Sequence, residues 1–388
     1  MFAVSIKMRQ SKRTLGIAAA ISAITAFGFA MSAVWPLLSL VLAARGHSTD
    51  AIGLSAGLAG AGALASSFLT LPIARRFGFL TTLLGALILC ALSLPLFHLI
   101  PSFWAWIPLR FTFHVLVTGV FILAEIWITL EVEDKHRGIV LGIYGTALSV
   151  GLATGPLILK AFGTVGGAPF YAIAACLLLA VLPVLLGRRA APKLTQPAKS
   201  RLLPPLTMPA VLLCSFVFAA VDLAFTALMP IYGLHRGFSP ENAALVLAMF
   251  PLGSILLQIP LGYVADRIPR IYVLQFCAVG GVLLPILMYA LPLSLSAFLA
   301  LIMLWGGLLG GLYTVALALL AQNATPDELP DLNAAFVLWN TLGMVAGPVI
   351  AGGIMSTAGT PALPLGFSGF AAILLCVLLF SARNYTQN

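Results

Sequence analysis

The 388 residues are 61% hydrophobic and only 8% charged, with a mean hydropathy of +1.10. A soluble globular protein is excluded, because no particle of this size hides so much apolar surface. The net charge of +9 would suit nucleic acid, but the basic residues stand at the ends of apolar runs and form no single patch, so the expected partner is the lipid bilayer and not nucleic acid.

A helix needs about 20 apolar residues to cross the hydrocarbon core. After Lys7, Arg9, Lys12 and Arg13, a run over 15–44 is too long for a signal-peptide core and lacks a small-residue cleavage site, which predicts an uncleaved first span. Further spans are predicted near 50–72, 78–98, 103–130, 138–160 and 166–187. The next segment, 188–205, carries Arg188, Arg189, Lys193, Lys199 and Arg201 among Pro192, Pro197, Pro204 and Pro205, and reads as a solvated linker. Spans resume near 206–233, 240–264, 271–291, 295–321, 331–354 and 362–381. The expected fold is an all-α polytopic membrane protein of twelve transmembrane helices, with six-helix bundles over 1–187 and 206–388.

The fourth span holds charges an apolar segment can least accommodate. Arg110, His114, Thr118 and Glu125 fall within an arc of roughly 80° at about 100° per residue, so one face should line water or protein. Asp222 is a third intramembrane charge, on the seventh span. Each such charge costs about 2.5–3.5 kcal/mol on insertion scales and marks a pathway by default. If both termini are cytoplasmic, all Lys and Arg gather on that side except Arg45, Lys160, Arg236 and the intramembrane Arg110, which the positive-inside rule requires.

The halves repeat. LPIARRFG before the third span aligns with GYVADRIP before the ninth, and Gly151-x-x-x-Gly155-Pro156 recurs as Gly343-x-x-x-Gly347-Pro348, both at an offset of about 190 residues. Gly262-Tyr-Val-Ala-Asp266-Arg267-Ile-Pro269-Arg270 resembles the loop motif of the major facilitator superfamily, with Pro269 in the usual glycine position; the first-half copy has Leu71 for glycine and Arg75 for aspartate. The Gly-Pro element resembles that superfamily's antiporter motif. Arg110, Glu125, Arg137-Gly138 and QIPLGYVADR are together most similar to the YcaD-type group of uncharacterised bacterial transporters, where many relatives have glycine at the position of His114. The resemblance covers essentially the whole chain. It implies alternating access, proton coupling, and a central cavity lined by helices one, four, seven and ten.

On that footing Glu125 and Asp222 are the expected proton-coupling residues, and Arg110, His114, Trp35, Phe225, Trp305, Tyr313, Trp339 and Asn340 the candidate substrate cavity. Each has a plainer reading: Arg110 could snorkel, His114 could be a satisfied core histidine, Glu125 could lean into the interface, and the aromatic residues could be ordinary packing. Gly262, Asp266, Arg267, Arg270, Arg76 and Glu131 are expected to gate, with Glu131 paired to Arg75 or Arg76 and Asp266 to Arg267. Gly151, Gly155, Pro156, Gly343, Gly347 and Pro348 are expected to pack helices.

Five scattered cysteines suggest neither disulfide nor metal site, and no cofactor is expected. Gly53-Leu-Ser55-Ala-Gly57 mimics a nucleophile elbow but opens a membrane helix with no strand before it. With no HExxH, no metal cluster and no GxxxxGK[ST] loop, an enzyme and an ATP-driven pump are both disfavoured. The leading reading is a monomeric, proton-coupled secondary transporter of a small organic molecule in a bacterial inner membrane, an efflux antiporter for amphipathic or aromatic compounds. Proton symport of a nutrient or organic anion is the alternative, and a non-transporting membrane sensor the rival from another class.

Overall fold

The computed structural model describes residues 2–131, 137–192, 208–323 and 329–385, so that most of the expected linker, 193–205, lies outside the described residues. Twelve helices among them are long and apolar enough to cross a membrane. These are α1 (Phe2–Ala44), α2 (Thr49–Phe77), α3 (Phe79–Leu99), α4 (Phe103–Glu131), α5 (Arg137–Phe162), α6 (Ala168–Leu186), α7 (Pro209–His235), α8 (Pro240–Ala265), α9 (Arg270–Ala290), α10 (Leu295–Asn323), α11 (Leu329–Ala358) and α12 (Leu363–Tyr385). The described residues contain no strand. Only helices satisfy every backbone group within their own segment, as an apolar span requires. At 43 residues α1 is the one element far longer than expected. It would extend roughly 65 Å against a hydrocarbon core of about 30 Å, so its basic first turns are a helical extension beyond the span.

Two compact units form: residues 1–41 with 62–197, and residues 42–61 with 198–388. Residues 42–61 pack with the second unit through close approaches at glycine. Thr49 Oγ1 donates to the Gly352 carbonyl of α11 at 3.3 Å. A Cβ on Gly60 would lie 2.7 Å from the Met344 carbonyl carbon, so α2 approaches α11 more closely than a side chain permits.

In the first unit, α3 packs on α6, and on α4 through Phe97, Trp106 and Phe113, where Phe97 meets the other two rings edge to face at 5.2 and 6.4 Å. In the second, α10 packs on α8 and α9, α11 on α7, and α12 on α9. The repeated Gly-Pro elements do the same work in each. Ser32 Oγ of α1 bonds the Gly151 carbonyl at 3.4 Å, and a Cβ on Gly155 would lie 2.7 Å from the Ala33 nitrogen. Likewise a Cβ on Gly343 would lie 2.9 Å from the Phe216 carbonyl carbon, and one on Gly347 2.5 Å from that of Ala220. Pro156 and Pro348 follow inside α5 and α11. Thus α5 lies on α1 as α11 lies on α7.

Candidate transport site

The polar face of α4 does not keep one environment along its length. Arg110 and His114 are fully enclosed, Thr118 is half-buried, and Glu125 is exposed. His114 is locked by two contacts. Its Nδ1 lies 2.8 Å from the Arg110 carbonyl, and the Trp35 indole N–H of α1 donates to its Nε2. Indole nitrogen only donates, so Nε2 accepts and Nδ1 carries the proton; the ring is neutral and in one tautomer. The Trp35 and His114 rings also stack, 6.1 Å apart at 13°. Trp35 itself is half-buried, so the pair joins an enclosed ring to a partly open one.

Further along α4, the carboxylate of Glu125 has no hydrogen bond or ion pair to any described residue. Across from it stands Tyr144 of α5, buried, its hydroxyl without a hydrogen-bond partner and within electrostatic reach of Glu125. Sequence reasoning missed Tyr144, because nothing along the chain marks which tyrosine comes within electrostatic reach of an acid on a neighbouring helix.

In the second unit the charge is Asp222 of α7, half-buried and likewise unpaired among the described residues. Its backbone carbonyl accepts from Thr226 Oγ1 at 2.9 Å. One turn earlier on the same face is Phe218, whose ring lies 5.3 Å from that of Tyr313 on α10. Tyr313 continues to Phe336 at 5.1 Å, and Phe216 meets Trp339 at 6.1 Å. Asn340 is a tie: its Nδ2 donates to the Ser215 carbonyl at 3.3 Å, while Ser215 Oγ donates to the Phe336 carbonyl at 2.9 Å. Phe216, Phe218, Asp222, Tyr313, Trp339 and Asn340 are all half-buried. Phe218 and Phe216 were not singled out from the sequence, although the spacing of four between Phe218 and Asp222 was the available signal.

Other expected cavity residues sit in packed cores. Phe225 and Trp305 are 1% and 0% exposed, in a cluster with Phe250 and Phe367 at ring distances of 4.6–5.9 Å. Arg110 and His114 are likewise enclosed, at 0% and 1% exposed.

Both expected surface pairs are replaced. Asp266 pairs with Arg270 at 3.6 Å, not with Arg267, because the turn between α8 and α9 brings the C-cap of one helix beside the first residue of the next. Arg267 instead lies over the Tyr263 ring at 3.3 Å and donates to its carbonyl. Arg270 also donates to Gln322 at 2.7 Å and to the Ala318 carbonyl, fastening α9 to the end of α10. A Cβ on Gly262 would meet nothing within 4 Å. Glu131 is served by Arg13 of α1, whose Nε donates to the Glu131 backbone carbonyl at 2.8 Å, and not by Arg75 or Arg76, which are exposed; Arg76 lies over its neighbour Phe77. Among the described residues no cluster of His, Cys, Asp and Glu could hold a metal ion.

The profile of the Major Facilitator Superfamily matches residues 20–245 and 211–388. The uncharacterised MFS-type transporter YfkF of Bacillus subtilis is 27% identical over 339 residues, 85% of this chain and 86% of its own. The uncharacterised MFS-type transporter YcaD of Escherichia fergusonii is 26% identical over 356 residues, 90% and 91% of the two chains. Among solved structures, a mutant of the nucleoside transporter NupG superposes with a TM-score of 0.80 at 13% identity, over 94% of this chain and 99% of that one. A bacterial homologue of the human lysosomal transporter Spinster, inward-facing and occupied, gives 0.73 at 16% identity, with 95% of each chain covered. At those identities the structures establish the fold alone. Profile, relatives and fold agree over nearly all of the sequence, and the chain belongs to the major facilitator superfamily of membrane transporters, not to an enzyme family.

Proposed function

We propose that this transporter is a proton-coupled antiporter that expels amphipathic or aromatic compounds across a bacterial inner membrane. The observation that carries the reading is Glu125, a carboxylate inside an apolar span, exposed, with no counter-charge among the described residues. Such a group binds a proton when its surroundings dry and releases it when water enters, so alternating access would load and unload it. Asp222 offers the same chemistry in the second unit. The half-buried rings of Phe218, Tyr313 and Trp339 suit an apolar cargo better than a free sugar, which would call for more amides and hydroxyls. We further assign both termini to the cytoplasm, residues 188–205 to a linker between bundles, and a monomer as the working unit, on the distribution of Lys and Arg and the composition of the linker.

The test starts with thermal shift of purified protein over a panel of amphipathic aromatic compounds. Hits are then followed as uptake into inverted membrane vesicles energised by a pH gradient. Accumulation above the external concentration should collapse on adding a protonophore and should be absent with Glu125→Gln, which still equilibrates cargo. Uptake indifferent to the protonophore would defeat proton coupling, and cargo that leaves the acid-loaded vesicles together with protons would favour symport.

A further inference from the structure

We propose that the cargo is an organic cation whose positive centre pairs with Asp222 against the aromatic wall of the second unit. The inference rests on the antiport reading above and adds the sign of the cargo's charge and the group that holds it. Three charged side chains lie inside the spans away from helix ends, and they differ in what they present. The cation Arg110 is completely enclosed; the two with exposed surface, Glu125 and Asp222, are both acidic. A solute reaching the open surface of these spans therefore meets only negative charge.

Asp222 is the better docking point, because its neighbours are rings. Phe218 stands one turn before it on the same face of α7, in contact with Tyr313 of α10. Aromatic faces carry negative potential and attract quaternary or protonated amines; a carboxylate beside them supplies the counter-charge. Among the described residues its carboxylate has no hydrogen bond or ion pair. The helices packed on α7 are α8, α10, α11 and α12; α10 has no Lys, Arg, Asp or Glu, and the other three carry one each, close to a helix end: Glu241, Asp331 and Arg383. Asn340 is engaged with a backbone carbonyl, and the Thr226 hydroxyl with that of Asp222 itself. An incoming cation would thus find a carboxylate with no partner to displace except a proton. Cargo and proton then compete for Asp222, while Glu125 remains the group assigned to carry the coupling proton.

Three probes of matched shape test the assignment on the purified full chain by calorimetry: biphenylmethyl-trimethylammonium, its uncharged neopentyl isostere, and biphenylmethanesulfonate. The permanent charge of the first removes titration of the ligand. The cation should bind at least tenfold more tightly than either analogue, and its affinity should fall as pH is lowered. Asp222→Asn should lose at least tenfold for the cation, leave the neutral analogue unchanged, and abolish the pH dependence. Asp222→Glu should keep cation affinity within a few-fold, and Phe218→Leu should weaken the cation more than the neutral probe. Size exclusion and thermal unfolding matched to wild type establish that each variant is folded. Equal affinity for all three probes, no binding of any, or wild-type cation binding by folded Asp222→Asn would overturn the proposal. The two readings fail separately. Selective cation binding that persists while Glu125→Gln still transports in response to a pH gradient removes the assigned coupling residue and leaves the cargo; gradient-driven transport of only neutral or anionic compounds removes the cargo and leaves the coupling.

Discussion

His114 has both ring nitrogens committed, one to the Arg110 carbonyl and one to the Trp35 indole, and burial leaves it no water to fall back on. Trp35→Phe deletes the donor and leaves Nε2 unsatisfied, which should cost about 1–3 kcal/mol; a lowered unfolding temperature in detergent would show it. His114→Phe, which removes both polar atoms and keeps the ring, should cost less than Trp35→Phe. A doubly protonated His114 could not accept from Trp35, so charging this ring requires the indole to leave. Along the chain, Arg110, His114 and Glu125 look equivalent, all on one arc of one helix. The structure separates them because neighbouring helices cover α4 unevenly, and no periodicity encodes that cover. The same reason hid Tyr144 and Phe218 and put Phe225 and Trp305 into a core where a cavity was expected.

At the scale of elements, the number and order of the spans were legible and most ends fell within about five residues, α1 excepted, since each must alone satisfy the length and apolarity of a bilayer. Pairings between helices were not. Glu131 finds Arg13 on α1, and Asp266 finds Arg270, because adjacency of helix ends decides the partner. The Asp266 side chain is 72% exposed, so its ion pair should contribute only about 0–1 kcal/mol, less at high salt. Small residues are the exception: a repeated Gly-x-x-x-Gly-Pro announced close contact, and α5 on α1 and α11 on α7 deliver it. Gly347→Ala should destabilise by about 1–3 kcal/mol through overpacking against Ala220, while Gly353→Ala, facing nothing within 4 Å, should be neutral or slightly stabilising. Thermal unfolding of the two variants side by side checks the contrast; equal effects would contradict the packing role.

For the whole molecule, two compact units and a distribution of basic residues bear on function together. A topology with both termini cytoplasmic predicts that a reporter active only in the periplasm stays silent when fused at Arg383 and becomes active in the 45–48 and 236–239 loops, which hold Arg45 and Arg236. Proton coupling is the central claim, and the accumulation ratio in proteoliposomes tests it most directly. With purified protein, a cargo that binds it and a series of imposed pH gradients, wild-type accumulation should rise with the gradient. Glu125→Gln should bring the ratio to unity at every gradient while exchange of labelled for unlabelled cargo continues. A Glu125→Gln protein that still accumulates cargo as wild type does would contradict the account.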